Sequence, residues 1–333
     1  MPDMDWQITE CPLPDGAPVP MQQHPFYGRA CTAMGSRVIT LCTGPPKDPL
    51  ARAQVLLRRW PLFGDFALLA RGPAWAPGTS QATMRQGTEA LIRHLRRDCR
   101  GVMATCEPVE GLDPLAGAGL LPMVTPGGQA RLALSAPDDM LSRQHGKWRN
   151  RLRRAQDGPL RVDHAPLPDV ADHWLLLREE AQSRRRGYRR LPIRFTQAWR
   201  HVNGPRATRL FTARYGKTPV AAMLFFLHGR SASYHIGWSD ELGRQCNAHA
   251  LLLWQAARWL QARGYAWLDL GTLDTETTPG LARFKLGSGA TPFQMGTTCL
   301  DAPGARALAR LCGHGPVITR PATSTPARPL EHL

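Results

Sequence analysis

Residues 234–271 read YHIGWSDELGRQCNAHALLLWQAARWLQARGYAWLDLG, and their reading decides the fold. The stretch RSASYHIGWSD is a strand, rich in aromatic and small residues and bounded by turn formers. A helix is expected from Ala248 to Arg263, with Asn247 as its N-cap and Gly264 as its stop. YAWLDLG then returns as a short, buried strand. A strand, a helix and a second strand make a crossover, which joins parallel strands.

Working backwards, RLFTARYG and KTPVAAMLFFLHG are two further strands joined at Tyr215-Gly216-Lys217, where glycine supplies the positive φ of a tight turn. Two helices precede them, PDVADHWLLLREEAQSRRRGY, capped by Asp169 and ended near Gly187, and IRFTQAWRHVNG. After the crossover come GLARFKLG as a short helix and TPFQMGTTCL as a last strand. The half from residue 159 therefore reads α-α-β-β-β-α-β-α-β, a mixed sheet with helices on both faces. The half before it is a shorter version: a short helix in QHPFYGRACTAMG, strands in SRVITLCTG and FALLARGPAW, a helix in SQATMRQGTEALIRHLRRDCRG, a strand in GVMATCEP, a helical turn at LAGAG and a strand in QARLALSAP.

Between the halves, DDMLSRQHGKWRNRLRRAQDG reads as one amphipathic helix. Leu141, Trp148, Leu152 and Ala155 fall on one stripe at 100° per residue. Lys147, Arg151 and Arg154 flank it on one side, Arg149 and Arg153 on the other. The expected organisation is an N-terminal half over 1–136, a basic linking helix over 137–158, a C-terminal domain over 159–301 and a largely disordered segment over 302–333. The Pro/Thr-rich stretch after residue 313 carries that last expectation.

Composition agrees with a folded protein: 43% hydrophobic and 20% charged residues in 333 give enough material for two cores. The net charge is +16, and residues 141–200 alone hold 15 Lys/Arg against 6 Asp/Glu. Clustered charge of that kind points to an anionic or phosphate-bearing partner, tRNA among the candidates. The eight cysteines show neither C-x-x-C nor a His/Cys cluster, so no metal site is expected and the thiols read as reduced. MPDMDWQITE has no apolar leader segment and no stretch reaches membrane-spanning length. The cytoplasm is the expected compartment, without stable membrane insertion.

Four stretches together resemble the GNAT acyltransferase superfamily in its FemXAB-like form, two GNAT folds in tandem. They are MQQHPFYGRACTAMG, KWRNRLRRA, the 234–271 stretch and GLARFKLGSGA. The resemblance implies an α/β fold of two tandem GNAT-like domains, each a mixed sheet flanked by helices. It also implies transfer of an acyl or aminoacyl group to an amine, from acyl-CoA or aminoacyl-tRNA, without a fixed cofactor. Simple GNAT enzymes carry Q/R-x-x-G-x-G/A before the central helix. Here the run is Arg244-Gln245-Cys246-Asn247-Ala248-His249, which keeps the arginine and loses both glycines. That departure favours the FemXAB-like form over a plain CoA-dependent acetyltransferase.

Direct amide formation needs in-line positioning, a proton acceptor and oxyanion stabilisation, and no covalent nucleophile. No Ser-His-Asp order or G-x-S-x-G elbow is present. Lys285 is one of only four lysines, the others being Lys47, Lys147 and Lys217, in a chain of 42 basic residues. It stands in the FK segment that the resemblance assigns to the transfer centre. Asp269 and Asp274 bracket the end of the strand after the central helix, where α/β sheets hold ligands. Tyr234 and His235 alternate on the strand before it, so one of them faces the site, and Trp238 is a candidate pocket wall. Lys147, Arg149, Arg151 and Arg154 are candidate phosphate binders, joined by Arg244 and Asn247 at the helix start. Arg184 to Arg190, with Tyr188 to stack on a base, would extend that surface. The second reading is a non-catalytic GNAT-fold protein that grips nucleic acid or another anionic partner through the same basic surface.

Overall fold

The structure is a computed structural model, and it describes residues 4–14, 18–188 and 191–311. The first half runs β1 (Gln7–Ile8), α1 (Pro25–Ala33), β2 (Arg37–Thr43), β3 (Ala51–Trp60), β4 (Gly64–Ala70), β5 (Ala74–Trp75), α2 (Gln81–Asp98), β6 (Gly101–Thr105), β7 (Leu121–Val124) and β8 (Gly128–Ala133). Two linking helices follow, α3 (Pro137–Ser142) and α4 (Gly146–Gln156). The second half is β9 (Arg161–Ala165), α5 (Trp174–Arg186), α6 (Ile193–Asn203), β10 (Thr208–Tyr215), β11 (Thr218–His228), β12 (Ser231–Ser239), α7 (Glu241–Gln245), α8 (Ala248–Gln261), β13 (Trp267–Leu273), α9 (Pro279–Gly287), β14 (Thr291–Gln294), β15 (Thr298–Asp301) and α10 (Ala305–Leu311).

Two mixed sheets result. One is ordered β1-β2-β3-β4-β6-β15-β7, with β5 on β3, and the other β14-β8-β13-β12-β11-β10-β9. Each is an antiparallel meander closed by one parallel pair, β4 with β6 around α2 and β12 with β13 around α8. The internal repeat is therefore real: both halves use the same strand-strand-strand-helix-strand order. The sheets also exchange strands. β8, from before the linking helices, lies beside β13, and β15, from the end of the chain, lies beside β6.

The repeat explains the cores. α8 is apolar on nearly every side, and nine of its residues are buried between the second sheet and α4. A helix of that kind holds because both flanks take up apolar area; truncating Leu252 to alanine would cost roughly 2–5 kcal/mol. α2 packs the first sheet with one face only, through Ala90, Leu91, Ile92 and Leu95. Between the halves, Ala30 of α1, Trp199 of α6, Leu56 of β3 and Phe226 of β11 share one cluster.

Several local expectations are corrected. The linking segment is two helices, not one, because the chain turns at Arg143–His145; Leu141 lies in α3 and the stripe of Trp148, Leu152 and Ala155 in α4. The helix α5 is capped by His173, whose side chain accepts from the Leu175 N–H, and not by Asp169. LAGAG forms turns, and TPFQMGTTCL is two strands, which enter different sheets. Cys11 and Cys42 form a disulfide, with Cα atoms 6.7 Å apart, while Cys31, Cys99, Cys106, Cys246 and Cys299 are free. The disorder expected after residue 313 lies outside the described residues, as do Arg189 and Arg190.

Candidate active site

The site begins where two strands part. β12 and β13 pair only over Ser231–Ser233 and Trp267–Asp269. Beyond those residues β12 follows β11, β13 follows β8, and a wedge opens between them. A bulge sharpens the divergence. Leu224 faces Ile236 and Phe225 faces Tyr234, so His235 is the extra residue. One extra residue reverses the alternation of faces. Ala232 and Tyr234 pack with the α8 cluster, whereas Ile236 and Trp238 pack with the α5 cluster.

The wedge leads to the N-terminus of α8. Asn247 precedes the helix at φ 53°, the left-handed conformation that glycine adopts at no steric cost, and its side chain makes no capping bond. The backbone turn expected of the missing glycine is thus kept without it. The first N–H groups of α8 have no intrahelical acceptors, and the helix dipole favours an anion beside them. A cavity of about 330 Å³ lies there, lined by Arg151, Arg244, Asn247, His249 and Phe284 among others. Arg244 is braced by Glu241 at 2.6 Å and by the Ser239 carbonyl at 2.9 Å. Arg151 has no ion-pair partner among the described residues.

His249 occupies the second glycine position of the sequence run. Its Nε2 lies 3.0 Å from the Trp238 carbonyl oxygen. A carbonyl only accepts, so Nε2 carries the hydrogen and Nδ1 keeps its lone pair. Burial pushes the imidazole below its ordinary value, and the nearby Arg244 adds to the effect against the bond to Trp238, which opposes it. The ring is therefore a neutral base at pH 7.

Lys285 stands in α9, next to Phe284 in the chain, and is 5% exposed. Its Nζ donates to the Thr272 carbonyl at 2.7 Å, three residues beyond the part of β13 that pairs with β12. Burial pushes the ammonium down to about 8, although the Asp269 carboxylate favours the charge. The helix is held by α4: His145 N–H donates to the Gly287 carbonyl at 3.0 Å, and the Trp148 and Phe284 rings are 6.0 Å apart. Gly287 is required there, since a Cβ would come within 2.9 Å of the Trp148 ring.

Asp269 is buried in β13. Its Oδ1 accepts from the Gly271 N–H at 2.8 Å, and its Oδ2 lies 2.7 Å from Arg71 Nη1. Arg71, just past β4, also binds Glu107, which in turn binds Arg131 at 2.9 Å. Arg131 is stacked between Trp267 and Phe293, at 3.8 and 4.5 Å. Burial opposes the charge on Arg71, but the carboxylates of Glu107 and Asp269 outweigh it and raise its pKa. A chain of alternating charge thus ties the first sheet to the strand that carries the site.

The remaining candidates stand apart from this centre. Asp274 is half-buried, and it accepts from the Glu276 and Thr277 N–H groups at 3.0 and 2.7 Å and from the Thr277 hydroxyl. The Thr277 hydroxyl bond holds its carboxyl below the usual value. Tyr234 is packed against Phe225, and burial pushes its hydroxyl up. His235 faces the opposite side, stacked 4.0 Å from Phe226 and bonded to the Thr196 hydroxyl at 2.6 Å. The Trp238 ring meets Trp174 and Arg178 in the α5 cluster, so only its carbonyl reaches the site. Lys147 and Arg154 are exposed on α4. Arg149 and Arg153 line a separate cavity of about 500 Å³ on the far side of the helix.

Sequence reasoning thus joined Lys285 to Asp269 and Arg151 to Arg244 and Asn247, but passed over His249, Phe284, Arg71 and Glu107. His249 was visible at the second glycine position, where an imidazole is out of place.

Residues 142–294 match the family described as acetyltransferase (GNAT) domain. The second half of this chain therefore matches a GNAT domain. Around it the tandem GNAT architecture is similar to that of FemX, with a TM-score of 0.68 at 12% identity, over 89% of this chain and 95% of that one. The C-terminal domain of a protein described as a lysylphosphatidylglycerol synthetase, from Agrobacterium fabrum, gives a TM-score of 0.53 at 14% identity, over 87% and 92%. A conserved protein of unknown function from Bacteroides thetaiotaomicron gives 0.51 at 12%, over 83% and 90%. No curated protein sequence matches the chain. The GNAT fold, in its FemX-like tandem form, is the fold expected from the four sequence stretches, and no helix among the described residues is long and apolar enough to cross a membrane.

Proposed function

We propose that this GNAT-domain protein forms an amide by moving an acyl or aminoacyl group directly from its donor to an acceptor amine. The donor is an acyl thioester or an aminoacyl ester, acyl-CoA or aminoacyl-tRNA being the two classes that present a phosphate-bearing carrier. Its phosphates lie at the N-terminus of α8, against Arg151 and Arg244, and its carbonyl enters the wedge between β12 and β13. The amine nitrogen attacks the carbonyl carbon, the C–N bond forms, and the C–S or C–O bond to the carrier breaks. Nδ1 of His249, or a water held by it, takes the amine proton, and the departing thiolate or alkoxide takes up a proton in turn.

The observation that supports this reading best is Lys285. An ammonium is kept at a position where burial disfavours it, and only one of its three hydrogens is given to Thr272. Two donors are left for the oxyanion of the tetrahedral intermediate. Asp269 is then a positioning residue, which sets the strand end through Gly271 and Arg71.

Native mass spectrometry of freshly purified protein, followed by calorimetric titration with acyl-CoA and with aminoacyl-tRNA at low salt, tests the donor. Micromolar binding of one class, lost in Arg151→Ala/Arg244→Ala, is the expected result. Absence of binding to both classes would refute the proposal.

A further inference from the structure

The hairpin between β3 and β4 ends in Arg58-Arg59-Trp60-Pro61-Leu62-Phe63, and none of it is covered. Leu62 is 103% exposed, Phe63 66% and Trp60 40%. Leu62 also takes φ 68°, where glycine or asparagine would be cheapest. A large apolar side chain is thus displayed at the apex against backbone preference. Trp60 is propped from behind, with its ring 4.4 Å from that of buried Phe66.

Charge sits one step behind the apex. Arg58 and Arg59 are exposed on opposite faces of β3, as the strand period requires. Arg100 lies beside Gly64, its Cβ 3.4 Å from where a Cβ on that glycine would stand. Arg37, on the neighbouring strand, adds a fourth guanidinium, paired to Asp65 at 3.2 Å. None of Arg58, Arg59 and Arg100 has an ion-pair partner among the described residues.

From this layering we infer that the β3–β4 hairpin is a membrane-surface anchor: Leu62, Phe63 and the edge of Trp60 enter the acyl boundary of a bilayer while the arginines meet anionic headgroups. The order apolar apex, then cationic collar, matches a medium that is apolar below an anionic surface. A protein partner fits less well. Three side chains offer roughly 400–600 Å², short of the ~800 Å² per partner of a stable protein interface. Nucleic acid fits less well too, since the most exposed side chain of the apex, Leu62, has no ring face on which a base could stack. The attachment is reversible, because the hairpin inserts no spanning segment.

Placement adds a consequence. The seven residues of β4 separate the tip from Arg71, so the wedge lies about 20 Å from the anchored end at roughly 3.3 Å per residue. The anchor locates the protein and leaves the chemistry of the wedge alone, so it stands independently of the acyl-transfer reading.

The test uses the full chain with sedimented vesicles of phosphatidylcholine alone and of phosphatidylcholine mixed with phosphatidylglycerol. The chain is expected to partition onto the mixed vesicles and scarcely onto the neutral ones. Arg58→Ala/Arg59→Ala lowers the partition about fivefold per arginine, and Leu62→Ser/Phe63→Ser lowers it at least tenfold, with melting temperatures unchanged because every altered side chain is exposed. Arg149→Ala/Arg153→Ala, on a separate face, leaves it intact. Three results would overturn the inference: no preference for anionic vesicles, binding by the tip variants equal to that of the parent chain, or loss of RNA binding in those variants with vesicle binding retained.

Discussion

Arg71 Nη1 stands 2.7 Å from Asp269 Oδ2, and the two residues belong to opposite halves of the molecule. Arg71 leaves the end of β4 in the first sheet, at φ 56°. A left-handed backbone at a non-glycine residue costs about 1–2 kcal/mol, and the contacts to Asp269 and Glu107 hold it there. Arg71→Met would leave the buried Asp269 carboxylate without its cation and half-buried Glu107 with Arg131 alone. We expect a loss of about 3–5 kcal/mol in urea denaturation, partly recovered in the double variant Arg71→Met/Asp269→Asn. A loss under about 0.5 kcal/mol, the range of ordinary surface changes, would show that the pair does not join the halves.

Lys285 should behave in the opposite sense. Its pKa falls from 10.5 to about 8 on folding. The folded state therefore holds this proton less tightly, the charge costs stability below pH 8, and the cost is relieved as pH rises from 8 to 10.5. At pH 7, Lys285→Met removes the buried charge and also leaves the Thr272 carbonyl without its donor. The net expectation is a variant as stable as the parent or more stable by about 1–2 kcal/mol. The advantage should shrink between pH 8 and pH 10, measured by denaturation at both.

Arg151 and Arg244 should govern donor affinity rather than rate. Each charge-assisted phosphate contact is worth about 1–3 kcal/mol, so Arg151→Ala/Arg244→Ala raises the Kd of the donor at least tenfold. Binding should also lose part of its salt dependence. Arg149→Ala/Arg153→Ala, on the far side of α4, is the control and should leave the Kd unchanged. Equal effects from the two pairs would mean that charge, and not the α8 cavity, determines affinity.

The pH dependence of transfer follows from two groups. His249 must be neutral to accept a proton, and burial holds it below its ordinary value, so the acidic limb should fall below about pH 6.5. Lys285 must be charged, so the alkaline limb should fall near pH 8. Lys285→Arg, if it retains turnover, should remove the alkaline limb and leave the acidic one in place.

The crossover around α8 was legible because local and tertiary signals agree there: Gly264, at φ 77°, ends a helix that is apolar on nearly every side. β3 was not. Its first six residues are all buried, and Arg52 and Gln54 interrupt what would have read as an apolar run. Both are buried because they bond to Gln23 and its neighbours: Arg52 donates to the Gln23 carbonyl at 2.9 Å and Gln54 N–H to the Gln23 side chain at 2.9 Å.

At the site the limit was different in kind. The bulge at His235 depends on the register of β11, so Tyr234 and Trp238 could not be assigned to opposite faces from their own strand. Asp269 was found by its place at a strand end, but its partner Arg71 is nearly two hundred positions earlier in the chain. Asp274 looked similar in sequence and proved to be occupied by the Thr277 turn. Lys285 entered the candidate site because its residue type is rare in this chain and its segment carries the FK pattern.

The central claim is that amide formation takes place at Lys285, in the wedge. The most direct measurement is the rate of amide product, followed by mass spectrometry, when the protein is given the donor it binds and a mixture of amines. The account predicts turnover by the parent chain, a fall in kcat of about a hundredfold or more in Lys285→Ala, and a donor Kd unchanged by that substitution. A folded Lys285→Ala protein that forms the amide at the full rate would contradict it.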